Sequence, residues 1–401
     1  MSRAWCGSYV NDETELKAAR PMTKIAVVLF NLGGPDRPED VRPFLFNLFN
    51  DRAIIDLPHP VRWLVAQMIS RRRAPVAREI YRQLGGGSPL LANTEAQAGA
   101  LEKALQRRLS DRGCEIRTFL AMRYWAPRSD EAVRAVKAYA PDRLVLLPLY
   151  PQFSTTTTGS ALADWQAAAR RQRLDLPSRA ICCYPRQRGF IAEMAATLGA
   201  ALAEAGKTGR PRVLFSAHGL PEKVVAAGDP YQWQIEQSAA AMVEALGHGS
   251  AAADLDWIVS YQSRVGPLEW TKPYTDAEVE RAGRERVPLI VVPLAFVSEH
   301  SETLVELDLE YRKLAEASGV PLYLRVPTVG TDAVFIGGLA DLVAAAIADD
   351  WAGGQVVQSG TGGRICPATH RRCAQAARSA RRGGRMPRGE GRPRRLNRDG
   401  R

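Results

Sequence analysis

The 401-residue sequence has no run of 18 apolar residues, so nothing in it reads as a membrane-spanning helix. It has no Gly-x-Gly-x-x-Gly and no Gly-x-x-x-x-Gly-Lys-Ser/Thr, and "FSAHGL" is not a nucleophile elbow. The signatures of a dinucleotide site, a P-loop and an α/β-hydrolase serine are therefore missing. The N-terminus lacks an apolar leader core, and Asp12, Glu13 and Glu15 argue against a transit peptide. Six cysteines are too few for a disulfide framework and point to a reducing, cytoplasmic setting. Histidine is scarce at five, which makes the position of each one informative.

What is present in excess is positive charge, a net +11 from 54 Lys and Arg against 43 Asp and Glu. From Arg364 to Arg401 there are 13 Arg and two acids, Glu390 and Asp399; the remainder, 41 of each sign, is neutral. The basicity therefore belongs to the C-terminal stretch. That stretch is rich in Gly and Pro without apolar periodicity, so residues 351–401 read as a disordered Arg-rich tail, and no specific nucleic-acid partner is expected. Within the tail, Cys366, His370 and Cys373 of "CPATHRRC" have the side chains of metal ligands, but two cysteines at this spacing specify little.

Eight short apolar runs alternate with helical segments. The first four begin at Lys24, Glu115, Arg143 and Arg179; the second four begin at Arg212, Asp256, Pro288 and Pro321. Continuous apolar runs between helices imply parallel strands covered on both faces. The expected fold is α/β: two Rossmann-like domains, each a four-stranded parallel sheet flanked by helices. The expected divisions are an extension over 1–22, a first domain over 23–190, a second over 191–350, and the tail over 351–401. A faint repeat supports two related halves. "LVLLPLYPQFSTTTTGSAL" from Leu144 aligns without gaps on "LIVVPLAFVSEHSETLVEL" from Leu289, placing Thr157 opposite Glu302.

Ligands of open parallel sheets sit beyond the carboxyl ends of the strands. There this sequence puts "NLGGP" (31–35), whose glycines would let backbone approach a ligand, and the hydroxyl-rich "YPQFSTTTTGS" (150–160). It also puts "SAHGLP" with His218, then "YQSRVGPLEW" (261–270), then "FVSEHSETLVELDLEY" (296–311). Wound as an α-helix, the last brings Glu299, Glu302, Glu306 and Glu310 within roughly 80° of arc, with apolar shoulders on either side and Asp308 and Arg312 facing solvent. A solvated acidic stripe is the ordinary reading of such a pattern. With His218 and His300 at strand ends, a second is open: imidazole and carboxylate at a cleft suit a borderline metal such as Fe²⁺, and suit proton transfer.

The order "NLGGP", "LGGGSPL", "MRYWAP", "YPQFSTTTTGS", "FSAHGLP", "GDPY", "YQSRVGPLEW" and "FVSEHSETLVELD" resembles the ferrochelatase family over about Lys24 to Ala345. The resemblance implies two Rossmann-like domains and an enzyme that inserts Fe²⁺ into protoporphyrin IX, the last step of haem synthesis. It implies that His218 takes pyrrole protons, ligates the incoming metal, or both. Glu302 would face it as a second metal ligand, with Glu299, Glu306 and His300 carrying protons or metal. Trp270 would form an aromatic wall, with Gln262 and Ser263 beside it. Arg82, Arg123, Tyr124, Ser154 and Thr155 are the candidates for the rest of the porphyrin site, the cations and hydroxyls among them for its propionates. "PFLFNLF" (43–49) and "VRWLVAQMI" (61–69), followed by Arg71–Arg73, resemble a hydrophobic lip, so peripheral membrane contact is left open beside a cytoplasmic location.

Some members carry a [2Fe–2S] cluster on one internal and three C-terminal cysteines. Here Cys182 and Cys183 lie some ten residues from the internal position and the tail holds two cysteines, so no cluster and no permanently bound cofactor are expected. Leu32 stands where some members have Met, and Ser301 where an apolar residue is common. Protoporphyrin and ferrous iron are the expected partners. A related tetrapyrrole chelatase and a non-catalytic haem or metal carrier are the rival readings, and the oligomeric state is undetermined.

Overall fold

A computed structural model describes residues 22–247, 254–348, 351 and 354–376. The eight apolar runs all form strands: β1 (Thr23–Asn31), β2 (Cys114–Met122), β3 (Arg143–Pro148), β4 (Ser178–Ile181), β5 (Arg212–His218), β6 (Asp256–Gln262), β7 (Leu289–Pro293) and β8 (Tyr323–Arg325). Burial explains their composition. Residues 25–30 of β1 and all of β7 are inaccessible to water, covered on both faces, so they carry no alternation of polar and apolar side chains.

All pairings are parallel and make two sheets, one in the order β2-β1-β3-β4 and the other β6-β5-β7-β8. The first has a fifth strand, β9 (Gln355–Gln358), paired with β4 from Ser178↔Gln355 to Ile181↔Gln358. This corrects two expectations together. The first sheet is five-stranded, and residues 354–376, read from sequence as disordered tail, include a strand and a loop with buried Cys366 and Cys373. The expectations for 1–21 and 377–401 lie outside the described residues.

Helices α1 (Val41–Phe49), α2 (His59–Gln83) and α3 (Leu90–Arg108) separate β1 from β2. After α4 (Ser129–Tyr139) and α5 (Thr158–Arg171), helix α6 (Arg188–Ala205) carries the chain to the second sheet. There α7 (Glu222–Ala226) and α8 (Tyr231–Ala245) follow β5, α9 (Thr275–Glu285) precedes β7, and α10 (Tyr311–Ser318) precedes β8. Helix α11 (Ala333–Ala348) then returns to pack on α3 and α6. One apolar core runs through both sheets, from Val27 and Leu147 to Phe215 and Val292.

The acidic segment departs from the expected α-helix. Glu302–Glu310 is π-helical and becomes α-helical only at Tyr311. A π turn bonds i to i+5 rather than i+4, so residues four apart no longer stack. The four-carboxylate stripe accordingly splits. Glu302 lines the cleft, Glu306 is held by Ser263 and Tyr311, Glu310 is exposed, and Asp308, expected on a solvent face, pairs with the largely buried Arg325. Arg312, expected there too, donates to the Asp308 and Tyr323 carbonyls.

Candidate functional site

In each sheet the strand order reverses once, at β1/β3 and at β5/β7. Crevices open at such points beyond the carboxyl ends of the strands. A cavity lies at both reversals. Asn31 and Leu32 end β1, Leu149, Tyr150 and Gln152 follow β3, His218 ends β5, and Ala295–Ser298, His300 and Glu302 follow β7. It is partly open to solvent. Leu90, Thr157 and Tyr231 complete its lining. The halves are tied beside it, where Asn93 donates to the Glu299 carbonyl (2.9 Å) and Gln97 to the Val297 carbonyl (2.8 Å).

His218 Nε2 lies 3.9 Å from Glu302 Oε1, beyond hydrogen-bond length, so charge rather than a bond couples them. Its Nδ1 is 2.8 Å from the Gly219 carbonyl, an acceptor only, so Nδ1 carries a proton and Nε2 is the nitrogen left to accept one. A Cβ at Gly219 would come within 3.3 Å of the Trp270 ring, so glycine lets the indole close down beside the imidazole. Burial is the largest influence on His218 and lowers its pKa. The Glu302 charge, the Gly219 carbonyl and Glu306 together outweigh it, and the net shift is upward.

Glu306 is pushed up to about 7, first by burial and then by the neighbouring Glu302 charge. It accepts from the Ser263 N–H (2.9 Å) and hydroxyl, from Gln262 Nε2 (3.3 Å) and from the Tyr311 hydroxyl (3.2 Å). Ser263 holds a left-handed backbone (φ 65°) without being glycine, a strained turn secured by those bonds. His300 is buried with its ring 4.5 Å from Phe296, and burial above all lowers its pKa. Three buried polar atoms among the cavity residues have no protein partner: Thr157 Oγ1, His300 Nδ1 and Glu302 Oε2.

Other sequence candidates stand elsewhere. Burial raises the Glu299 pKa, but Thr303, the Thr328 N–H and Arg325 together bring it below its ordinary value; Arg325 holds its carboxylate at 2.6 Å. Arg123 is 13% exposed and paired with Asp51 at 2.9 Å, and Asp51 also takes the Tyr124 hydroxyl at 2.8 Å, so this knot faces inward rather than into the cavity. Ser154 and Thr155 give their hydroxyls to the buried Asp229, which ties the 150–160 loop to α8. Arg82 is exposed and paired with Glu79. Trp270 lies 6.4 Å from the His218 ring and donates to the Val265 carbonyl (3.2 Å), while Gln262 and Ser263 serve Glu306. The "NLGGP" glycines admit protein rather than ligand. Gly33 abuts Trp125 and Gly34 abuts Ser88, and Asn31 and Leu32 are the residues that line the cavity.

Sequence reasoning missed Tyr231, whose burial drives its pKa well up beneath His218, and Tyr81, which reaches the site from α2. Tyr81 is buried on α2, near enough to Ser301 and Glu302 for both to act on its hydroxyl, and burial above all raises its pKa. "GDPY" ends in Tyr231, the one available signal for it. Nothing local marks Tyr81, which lies 220 residues from Ser301.

Cys182, Cys183, Cys366 and Cys373 are all buried and meet where the end of β4, α8 and the 359–376 loop join.

The Ferrochelatase family model matches residues 24–347. The chain is 54% identical to "Ferrochelatase" of Phenylobacterium zucineum over 88% of its own length and 98% of that protein. It is 49% identical to "Ferrochelatase" of Hyphomonas neptunium (88% of this chain, 95% of that one) and 53% identical to that of Caulobacter vibrioides (80% and 89%).

Proposed function

Because the chain belongs to the ferrochelatase family, an enzyme family that inserts ferrous iron into protoporphyrin in haem biosynthesis, we propose that its protons leave along one line, His218 to Glu302 to Glu306. Insertion releases two pyrrole protons, so it needs a base near the macrocycle centre and a route that separates charge from the product. Neutral His218, its Nδ1–H held by the Gly219 carbonyl, presents Nε2 as that base. Glu302, charge-coupled at 3.9 Å, stabilises the imidazolium that forms. Glu306, which titrates near 7, takes the proton next, and Tyr311 and Ser263 hold it at the outer end.

The same pair receives the iron. Imidazole nitrogen and carboxylate oxygen suit Fe²⁺. Among the described residues no three His, Cys, Asp or Glu side chains gather closely enough to hold a metal ion, so the pair offers a transient hold from which the macrocycle nitrogens can take the metal. The unpartnered Glu302 Oε2 is the observation that carries this assignment. Leu32, Leu90, Leu149 and Phe296 provide the apolar walls, and the Thr157 hydroxyl is a polar anchor for the macrocycle's edge.

The compartment proposed is the cytoplasm, supported by free thiols on all five described cysteines. No helix of the described residues is long and apolar enough to cross a membrane. Val61, Trp63, Leu64 and Met68 are nevertheless exposed on α2, next to the exposed Arg71–Arg73. This face is proposed to rest on an anionic membrane and admit the poorly soluble substrate.

Anaerobic incubation with protoporphyrin and Fe²⁺, followed through the porphyrin absorption bands, tests the assignment. His218→Ala is expected to abolish insertion while porphyrin still quenches tryptophan fluorescence. Multiple turnovers by that variant would remove His218 from its role.

A further inference from the structure

Helix α3 carries a polar stripe at helical spacing, Asn93, Thr94 and Gln97, between the apolar Leu90 and Leu101. Thr94 stays within its own half, accepting from Asn31 Nδ2 at 3.0 Å and donating to the Leu90 carbonyl at 2.6 Å. Asn93 and Gln97 cross to the other half. Gln97, inaccessible to water, donates through Nε2 to the Val297 carbonyl (2.8 Å) and the Gly330 carbonyl (2.9 Å). Gly330 N–H in turn donates to the Val297 carbonyl at 3.0 Å, so the three bonds close a ring. Both partners of the amide are carbonyls, which only accept, and this settles its orientation. One turn earlier, Asn93 Nδ2 donates to the Glu299 carbonyl at 2.9 Å.

Glutamine is an unfavourable choice for this core position. Its Oε1 is buried and has no partner among the described residues, and a buried polar atom left bare carries a desolvation penalty. Methionine would fill nearly the same volume without it. What an apolar side chain cannot do is hold the loops after β7 and β8 to each other and to the first half. The loop after β7 runs through Val297 and Glu299 into His300 and Glu302. The loop after β8 returns past Thr328, whose N–H donates to Glu299 Oε1 at 3.0 Å. Glu299 is therefore gripped by its carbonyl from α3 and by its carboxylate from the loop after β8, three residues before Glu302.

His218 stands on β5, apart from these bonds. The charged and titratable groups that bear on it are Glu302 and Glu306 of the acidic segment, His300 and, from α8, Tyr231. Gln97 bonds to none of them. The 3.9 Å between His218 and Glu302 is thus set by two attachments: β5 fixes the imidazole, and the loop after β7 fixes the carboxylate. We propose that Gln97, seconded by Asn93, is a positioning residue for insertion: from the first half it clamps the backbone leading to Glu302 and so sets the distance of that carboxylate from His218. The inference rests on the proposed transfer from His218 to Glu302. It makes the fit between the two halves part of the chemistry of the site.

Gln97→Met in the full-length chain tests this, because it keeps the volume while removing both donors and the bare oxygen. Insertion should proceed with kcat lower by on the order of 10-fold, as a sub-ångström misplacement would give, and with KM for protoporphyrin unchanged. The diagnostic readout is the pH profile. With Glu302 displaced, His218 loses part of the charge that favours its protonated form, so the acid limb should move to lower pH. A side chain that merely fills the core would lower the unfolding temperature and leave that limb in place. Asn93→Ala, at a partly exposed helix position, should move the limb the same way by less, and it carries the test if Gln97→Met does not fold. In a Glu302→Gln background neither substitution should move the limb further, since the group being positioned is gone. The two readings fail separately. If Glu302→Gln leaves the limb unmoved, the transfer line falls and this inference with it. If Glu302→Gln moves the limb while Gln97→Met and Asn93→Ala do not, the positioning role of α3 falls alone.

Discussion

The imidazole of His218 is held above its ordinary pKa by Glu302 against the opposing effect of burial. Below that raised value it is protonated and cannot take a pyrrole proton, so insertion should fall on the acid side. Glu302→Gln removes the charge that supports the imidazolium. The acid limb of kcat/KM should therefore move to lower pH, while the plateau falls about 100-fold with the lost stabilisation. A limb that stays in place would separate Glu302 from His218. Glu306 makes a complementary case through stability. Its folded pKa of about 7 exceeds the ordinary 4.5, so the folded state binds the proton more tightly. Its contribution is fully present below about pH 4.5 and is lost as the pH rises through 7. Glu306→Gln cannot ionise. Its stability relative to the parent should thus grow between pH 5 and pH 8, by up to about 3 kcal/mol, as read from thermal unfolding at the two pH values. The sign of that trend is independent of any hydrogen bond lost by the substitution, which shifts both ends alike.

At the scale of elements, strands were legible and the acidic helix was legible only in part. Runs such as "PLIVVPLAF" announce a doubly covered strand because burial on both faces leaves no other composition. A π-helix leaves no comparable mark. It changes the backbone bonding by one residue without altering the residues, so an α-helical wheel assigns Asp308 and Arg312 to solvent. The partner that refutes this, Arg325, comes from β8 and is invisible in the local pattern. Arg325 is 10% exposed and binds Glu299 at 2.6 Å and Asp308 at 2.9 Å through Nε, pinning both ends of the segment that carries Glu302 and Glu306. Arg325→Met fills much of the same volume but strands two partly buried carboxylates. Breaking a buried pair on one side costs about 3–5 kcal/mol. Thermal unfolding should show a loss of that order, and insertion should weaken because the carboxylate pair is no longer anchored. A variant as stable as the parent would mean the pinning is unimportant.

Across the whole molecule, the sequence places the two sheets and their shared cleft correctly, because continuous apolar runs and strand-end chemistry are local signals. It misplaces the C-terminus because "QVVQ" is four residues long, sits among glycines and an arginine-rich stretch, and becomes a strand only against the free edge of β4. The loop beyond it then packs on the second half, where Arg372 N–H bonds the Gly228 carbonyl at 3.1 Å and the His370 ring lies 5.8 Å from that of Trp233. The C-terminal segment thus bridges both sheets instead of trailing from one. Two truncations distinguish bridge from tail. Removing 377–401 deletes no described contact and should leave both the unfolding temperature and solution insertion within error of the parent. Removing 354–401 strips the strand from β4 and two of the four clustered cysteines, and leaves the hydrogen-bonding groups of Ser178–Ile181 unpaired at a sheet edge. That form should unfold several degrees lower and associate on concentration, by light scattering. Its His218, Glu302 and Glu306 are untouched, so whatever soluble fraction remains should still insert iron. Equal stability of the two truncated chains would return residues 354–376 to the status of an appendage.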